Sequence, residues 1–152
     1  MMNPAAILVL PRLFLGMIFL VAANGKLHAG ANLPVVVQGF LTHMLPNAGS
    51  AYQAFANAFV LPNISTIAAL DLAGELFVGI AMVLGFATRL AALVAILLLL
   101  NYMLVKGMAF WMPASNDAAD IVMAIVVGVG AAGRVWGIDA FLARRYPRIP
   151  LW

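Results

Sequence analysis

Four stretches of this chain are long and apolar enough to be read as membrane-spanning helices, and 152 residues leave little else. A helix needs about 20 mostly apolar residues to cross a hydrocarbon core of about 30 Å. The first stretch is residues 5–24, interrupted by Pro11 and Arg12. The second, 65–87, carries Asp71 and Glu75, and the third, 90–110, holds the block Ile96-Leu97-Leu98-Leu99-Leu100 followed by Asn101. The fourth, 116–134, has an uncharged part (121–133) that reaches only about 20 Å at 1.5 Å per residue. To cross the core it must extend back through Asp120 and Asp117, which puts an acid at membrane depth. Composition agrees, with 66% hydrophobic and 9% charged residues against about 45–50% and 25% in soluble domains. This excludes a soluble enzyme, a disordered chain and a disulfide-stapled secreted domain. The expected class is an all-α membrane protein, a four-transmembrane-helix bundle forming one domain over residues 1–152.

The first stretch has Val21-Ala22-Ala23 where a signal peptide would be cleaved. It lacks Lys or Arg before the apolar run, and Arg12 interrupts that run, so a first helix is the preferred reading. Loop cations then set the orientation. Arg89, Arg134, Arg144, Arg145 and Arg148 gather on one side and Lys26 and Lys106 on the other. The expectation is a multi-pass protein of a bacterial-type cytoplasmic (inner) membrane with both termini cytoplasmic, residues 135–152 forming a cytoplasmic tail. The net charge of +3 is scattered, so no nucleic-acid partner is expected. Absence of cysteine excludes thiol exchange, thiolate metal sites and iron–sulfur clusters.

The outer segment, 26–64, is mostly apolar and is divided by Pro34, Pro46 and Pro62. Tyr52, Phe55, Ala56 and Phe59 recur at helical spacing. It is expected to form short interfacial helices between helices 1 and 2, acting as packing or as a lid. An offset of 45 residues aligns Glu75 with Asp120, Gly85 with Gly130 and Arg89 with Arg134. Such a match would fit two parallel helical repeats.

Ionisable groups at membrane depth cost about 2.5–3.5 kcal/mol each on insertion scales, so they face the interior and find partners. Arg12 is expected to pair with Glu75 or with Asp120. Asp71 and Glu75, four residues apart, share a helix face. With Asn101, Asp117 and Asp120 they form, together with Arg12, a candidate intramembrane polar cluster, either chemical or structural. Asn24, Lys26 and Lys106 are the expected pocket rim, or else residues that snorkel to the interface. No metal site is expected: there is no Glu-x-x-His, and His28 and His43 lie outside the spans. Tyr102, Phe110, Trp111 and Trp136 sit near helix ends, as an aromatic belt would, with the lining of a quinone cleft as the alternative role for some of them. Gly128-Val-Gly-Ala-Ala-Gly133 spells the dinucleotide fingerprint but ends an apolar helix, so Gly128, Gly130 and Gly133 are assigned to helix packing.

Several motifs resemble the DoxX/DoxD-like membrane proteins. They are Pro11-Arg-Leu-Phe-Leu-Gly-Met-Ile-Phe-Leu with Gly25-Lys26, Gly74-Glu-Leu-Phe-Val-Gly, Leu84-Gly-Phe-Ala-Thr-Arg-Leu-Ala-Ala-Leu93, and Gly130-Ala-Ala-Gly-Arg134 with Trp136-Gly-Ile-Asp139. The likeness covers nearly the whole chain in order. It implies a four-helix membrane bundle and motif positions at Arg12, Gly25, Lys26, Glu75, Arg89 and Asp139. A member of that family serves in thiosulfate:quinone oxidoreductase. The enlarged outer segment departs from the family pattern. The implied function is an accessory subunit of a respiratory-type oxidoreductase, anchoring a partner and shaping a quinone-facing or proton-relaying pocket. The alternatives are a non-catalytic assembly subunit and a small-solute or ion transporter. No self-contained catalytic motif and no covalently bound cofactor are expected; a quinone is the candidate ligand. The expected partners are membrane lipid and other membrane or peripheral subunits.

Overall fold

The computed structural model describes residues 4–112 and 116–149, which contain helices and turns and no strand. After a 3-10 turn at Pro4–Leu8, α1 runs Val9–Ala29. Pro11 falls in its first turn, where a missing N–H leaves no bond unmade. Gly30, at φ +53°, breaks the helix, and α2 (Leu33–Met44) follows with Pro34 in its first turn. After a 3-10 turn containing Pro46, α3 (Ser50–Phe55) begins. A π segment, Ala56–Val60, and a 3-10 turn, Leu61–Asn63, lead without a break into α4 (Ile64–Leu84). The change of winding lets a helical path pass Pro62, which cannot donate to the preceding turn. The three prolines therefore start or rewind helices rather than separate loose pieces.

Among the described residues, three helical stretches are long and apolar enough to cross a membrane: Ala6–Asn47, Ser50–Leu84 and Thr88–Val105. The last is α5, and the turn that joins it to α4 carries Gly85 at φ +64° and Ala87 at φ +46°. α6 spans Asn116–Val129, about 21 Å at 1.5 Å per residue, and is shorter than the expected 116–134. It stops because Ala131 turns left-handed (φ +46°), after which Ala132–Arg134 form a 3-10 turn. α5 likewise ends at Val105, short of 110, with Gly107 at φ +67°. A final helix, α7, covers Ile138–Arg145.

α1 packs on α4, α4 on α5, α5 on α6 and α6 on α1. All four contribute to one core, including Leu15, Phe19, Val78, Met82, Leu99 and Ile121. Much of the interior is alanine (Ala81, Ala91, Ala92, Ala95, Ala124), which permits close backbone approach. A second core near the far ends of α4 and α5 joins Leu41, Ala56, Val60 and Val105. Outward faces are apolar as well: Leu10, Val21, Leu70, Leu97 and Val129 are each more than half exposed. So large an apolar exterior belongs against lipid rather than water.

α1 crosses α4 at close range. A Cβ on Gly16 would lie 2.8 Å from Val83 Cγ2 and 3.1 Å from both Gly79 O and Met82 Cβ. Neither the Gly79 backbone nor the Met82 β-carbon can move alone. Gly16→Leu is expected to destabilise the protein by about 1–3 kcal/mol through overpacking. A thermal melt in detergent checks it; an unchanged melting temperature would show that the two helices are not held at this separation.

The 45-residue match does not correspond to structural equivalence. Gly85 is left-handed whereas Gly130 is not, and Glu75 is 1% exposed whereas Asp120 is partly exposed. Gly130 instead sits where a Cβ would strike Leu8.

Candidate functional site

Lys26 lies in the last turn of α1, and Asp71 and Glu75 are one turn apart on α4. Tyr102 is near the end of α5. Packing of α1 and α5 on either flank of α4 brings these four side chains together. The Lys26 ammonium contacts Asp71 Oδ2, and lies 2.9 Å from Glu75 Oε1 and 3.2 Å from Tyr102 Oη. Tyr102 Oη is 2.6 Å from Asp71 Oδ1 and 2.7 Å from Glu75 Oε1. Side-chain exposure falls from 19% at Lys26 to 13% at Asp71 and 2% at Glu75. The second oxygen of Glu75 is buried without a hydrogen-bond partner.

Beside this cluster is a half-open cavity of about 690 Å³ lined by residues of α1 through α5. Its walls are mostly apolar, with Val37 and Phe40 from α2, Ile67 and Leu70 from α4, and Leu97 and Leu98 from α5. Lys26, Asp71 and Tyr102 reach it, whereas Glu75 is not among its lining residues. Tyr52 donates to Asn101 Oδ1 at 2.7 Å on the cavity wall. Lys106, also on that wall, holds Asp117 through both carboxylate oxygens at 3.0 and 2.8 Å, which ties the end of α5 to the start of α6. The segment expected to lie along the interface thus supplies one wall of this half-open cavity.

The expected polar cluster is divided. Asp71 and Glu75 are in the tetrad, Asn101 pairs with Tyr52, and Asp117 pairs with Lys106. Asp120 is partly exposed and neighbours Asp117 and Lys106. Asn24 is exposed and takes no part beyond its carbonyl, which meets His28 Nδ1 at 2.8 Å. Among the described residues no group of three acids or histidines is arranged to hold a metal ion. Lys26, expected at the pocket rim, lies on the cavity wall, whereas Tyr102 is a tetrad member that the sequence assigns to an aromatic belt. Their signal was positional, since each is the polar residue that closes a long apolar helix.

Arg12 pairs with neither Glu75 nor Asp120. It is 2% exposed, and its guanidinium donates to the carbonyls of Ala132 (3.0 Å), Val135 (3.1 Å) and Trp136 (3.3 Å). These groups follow α6, where main-chain acceptors lack intrahelical donors and a cation is favoured. Arg12 is near the start of α1, about 14 residues or 21 Å of helix from Lys26, which puts Glu75 out of its reach. Asp139, 1% exposed and attracted to Arg12, accepts from the N–H groups of Ala87 (2.7 Å) and Thr88 (2.9 Å). It caps α5 from outside that helix. Gly133 belongs to this lock rather than to helix packing: a Cβ there would strike Thr88 Oγ1 and Asp139 Oδ2. Gly128, by contrast, faces Ala92 across the α5–α6 contact.

A comparison with family models matches residues 7–150 to the family described as TQO small subunit DoxD. The chain belongs to the DoxD family. No curated protein and no solved structure matches it. Of the positions that the sequence resemblance singles out, Arg12 and Asp139 are in the lock and Lys26 and Glu75 in the tetrad.

Removing the guanidinium takes a charged donor from three main-chain carbonyls, of which Ala132 O keeps the Val135 N–H at 3.2 Å. Arg12→Met is expected to lower stability by about 3 kcal/mol, given about 1.5–3 kcal/mol for a hydrogen bond to a charged group. Thermal unfolding in detergent measures this, and wild-type stability would contradict the lock.

Proposed function

We propose that this DoxD-family chain is an accessory membrane subunit of a respiratory-type oxidoreductase, and that its cavity takes a quinone. The observation that carries the reading is the cavity itself. Its size lies within the roughly 300–1,000 Å³ usual for ligand pockets, and its apolar walls end at Lys26, Asp71 and Tyr102. Those walls suit an isoprenoid tail. Lys26 and Tyr102 supply donors for a quinone carbonyl, and Asp71 accepts from a quinol hydroxyl. A bound quinone would supply two-electron redox chemistry. The chain's own part is to orient the head group, exclude water and hold protons beside it.

In this reading α1, α4, α5 and α6 all cross the membrane, with the 3-10 turn at Ala132–Arg134 extending the reach of the short α6. α2 and α3 cover the cavity on the outer side. The arginine-rich end, with Arg89, Arg134, Arg144, Arg145 and Arg148, faces the cytoplasm of a bacterial-type inner membrane, and the lysine end faces out.

Purification in native detergent, with mass identification of co-eluting chains and extraction of quinones, tests this. The expected result is a second polypeptide and a retained quinone; recovery of neither would overturn it. Val37→Trp, which fills the cavity from α2, is expected to lower the retained quinone about tenfold, equivalent to about 1.4 kcal/mol, while leaving co-purification intact. Undiminished quinone in that variant would remove the cavity as the site.

A further inference from the structure

The hydrogen inventory around Tyr102 does not balance if both neighbouring acids are ionised. A phenol oxygen has one proton to donate and two lone pairs to accept with. Tyr102 Oη has three partners: the Lys26 ammonium at 3.2 Å, Asp71 Oδ1 at 2.6 Å and Glu75 Oε1 at 2.7 Å. Lys26 can only donate. The single Tyr102 proton can satisfy one carboxylate oxygen, and the other would then face it lone pair to lone pair. One of the two carboxyls must therefore bring its own proton.

The surroundings decide which one. Both oxygens of Asp71 are engaged, Oδ1 by the Tyr102 hydroxyl and Oδ2 by Lys26. Glu75 has one oxygen in contact and the other buried without a partner. An ionised carboxylate left with an unsatisfied buried oxygen is far more costly than the carbonyl oxygen of a neutral acid. Net charge agrees. Lys26, Asp71 and a neutral Glu75 sum to zero, whereas two carboxylates would leave an uncompensated charge among apolar helices. The charged and titratable groups facing Glu75 are Lys26 from α1, Asp71 on α4 and Tyr102 from α5.

We propose that Glu75 holds one proton in the resting protein and exchanges it with the cavity through Tyr102 and Asp71. In the step, the Glu75 O–H bond breaks as its proton bonds to Tyr102 Oη. Tyr102 passes its own proton to Asp71 Oδ1. Tyr102 ends as it began, Glu75 becomes the carboxylate and Asp71 the acid, so protons and charge balance. Lys26 lies against both acids, and its ammonium stays beside whichever carries the charge. Asp71 and Tyr102 are on the cavity wall and Glu75 behind them, which gives the path its direction. The proposed function gives this proton its use, as the partner of electrons carried by a cavity ligand; the assignment of the proton stands on the tetrad alone.

Glu75 can be observed without altering it, because it is the single glutamate of the chain. Protein made by cell-free synthesis with glutamate labelled by ¹³C at the side-chain carboxyl reports Glu75 alone in infrared and solid-state NMR spectra. The measurement is made at neutral pH without added quinone. The expected signal is an isotope-shifted carbonyl band of a protonated carboxyl, responding to D₂O, and moving to higher frequency in Tyr102→Phe as its hydrogen bond is lost. A carboxylate signal in the wild type would overturn the proposal. So would a protonated band that Tyr102→Phe leaves in place, because Glu75 would then not be bonded to Tyr102. Neither outcome bears on quinone retention, so the proton assignment and the subunit reading can fail separately.

Discussion

A charge placed among apolar helices must be met within a few ångströms, because no water is there to meet it. Arg12 shows what this demands of the fold. Its guanidinium lies against the main-chain carbonyls that follow α6, so the chain after α6 cannot unwind from α1 without stranding a cation. The same segment carries Asp139, which caps α5 through Ala87 and Thr88 and returns its own N–H to Gly85 at 2.8 Å. α1, the α4–α5 turn and the chain after α6 are thus joined at one end. Glycine is required at 133 and 137 because side chains there would collide with the groups of the lock.

The other end is arranged differently. There the core opens into a cavity, and Lys26, Asp71, Glu75 and Tyr102 meet one another rather than the backbone. Alanine-rich packing keeps α5 and α6 close, while residues of α2, α3, α4 and α5 build the second core. One end is closed by main-chain hydrogen bonds and stays put. The opposite end carries groups whose protons are exchangeable, beside a space of ligand size.

Much of this was legible in the residues. Apolar run length located α1, α4 and α5 to within a few residues, and the four-residue spacing of Asp71 and Glu75 put both on one face. The need for buried charges to find partners singled out Arg12 and the acids. The partners themselves were not legible. Arg12 was matched to acids because a sequence displays carboxylates and conceals carbonyls: every residue has a carbonyl, and only folding exposes the few that lack donors. Lys26 and Tyr102 resembled interface residues because a polar group ending an apolar helix has two destinations, headgroups or a neighbouring helix. The prolines of the outer segment marked its divisions, but not that π and 3-10 winding would carry the helix through Pro62.

The sequence by itself determined that the chain is helical, that its exterior is apolar and that its few charges must be met inside. Those are consequences of composition and periodicity, which act locally along the chain. Only the tertiary structure decided which charge meets which acceptor, since that depends on how α1, α4, α5 and α6 are rotated and offset against one another. It also decided that residues 33–55 wall a cavity. The same apolar side chains could have lain flat on a membrane surface; their packing against α4 and α5 made the difference.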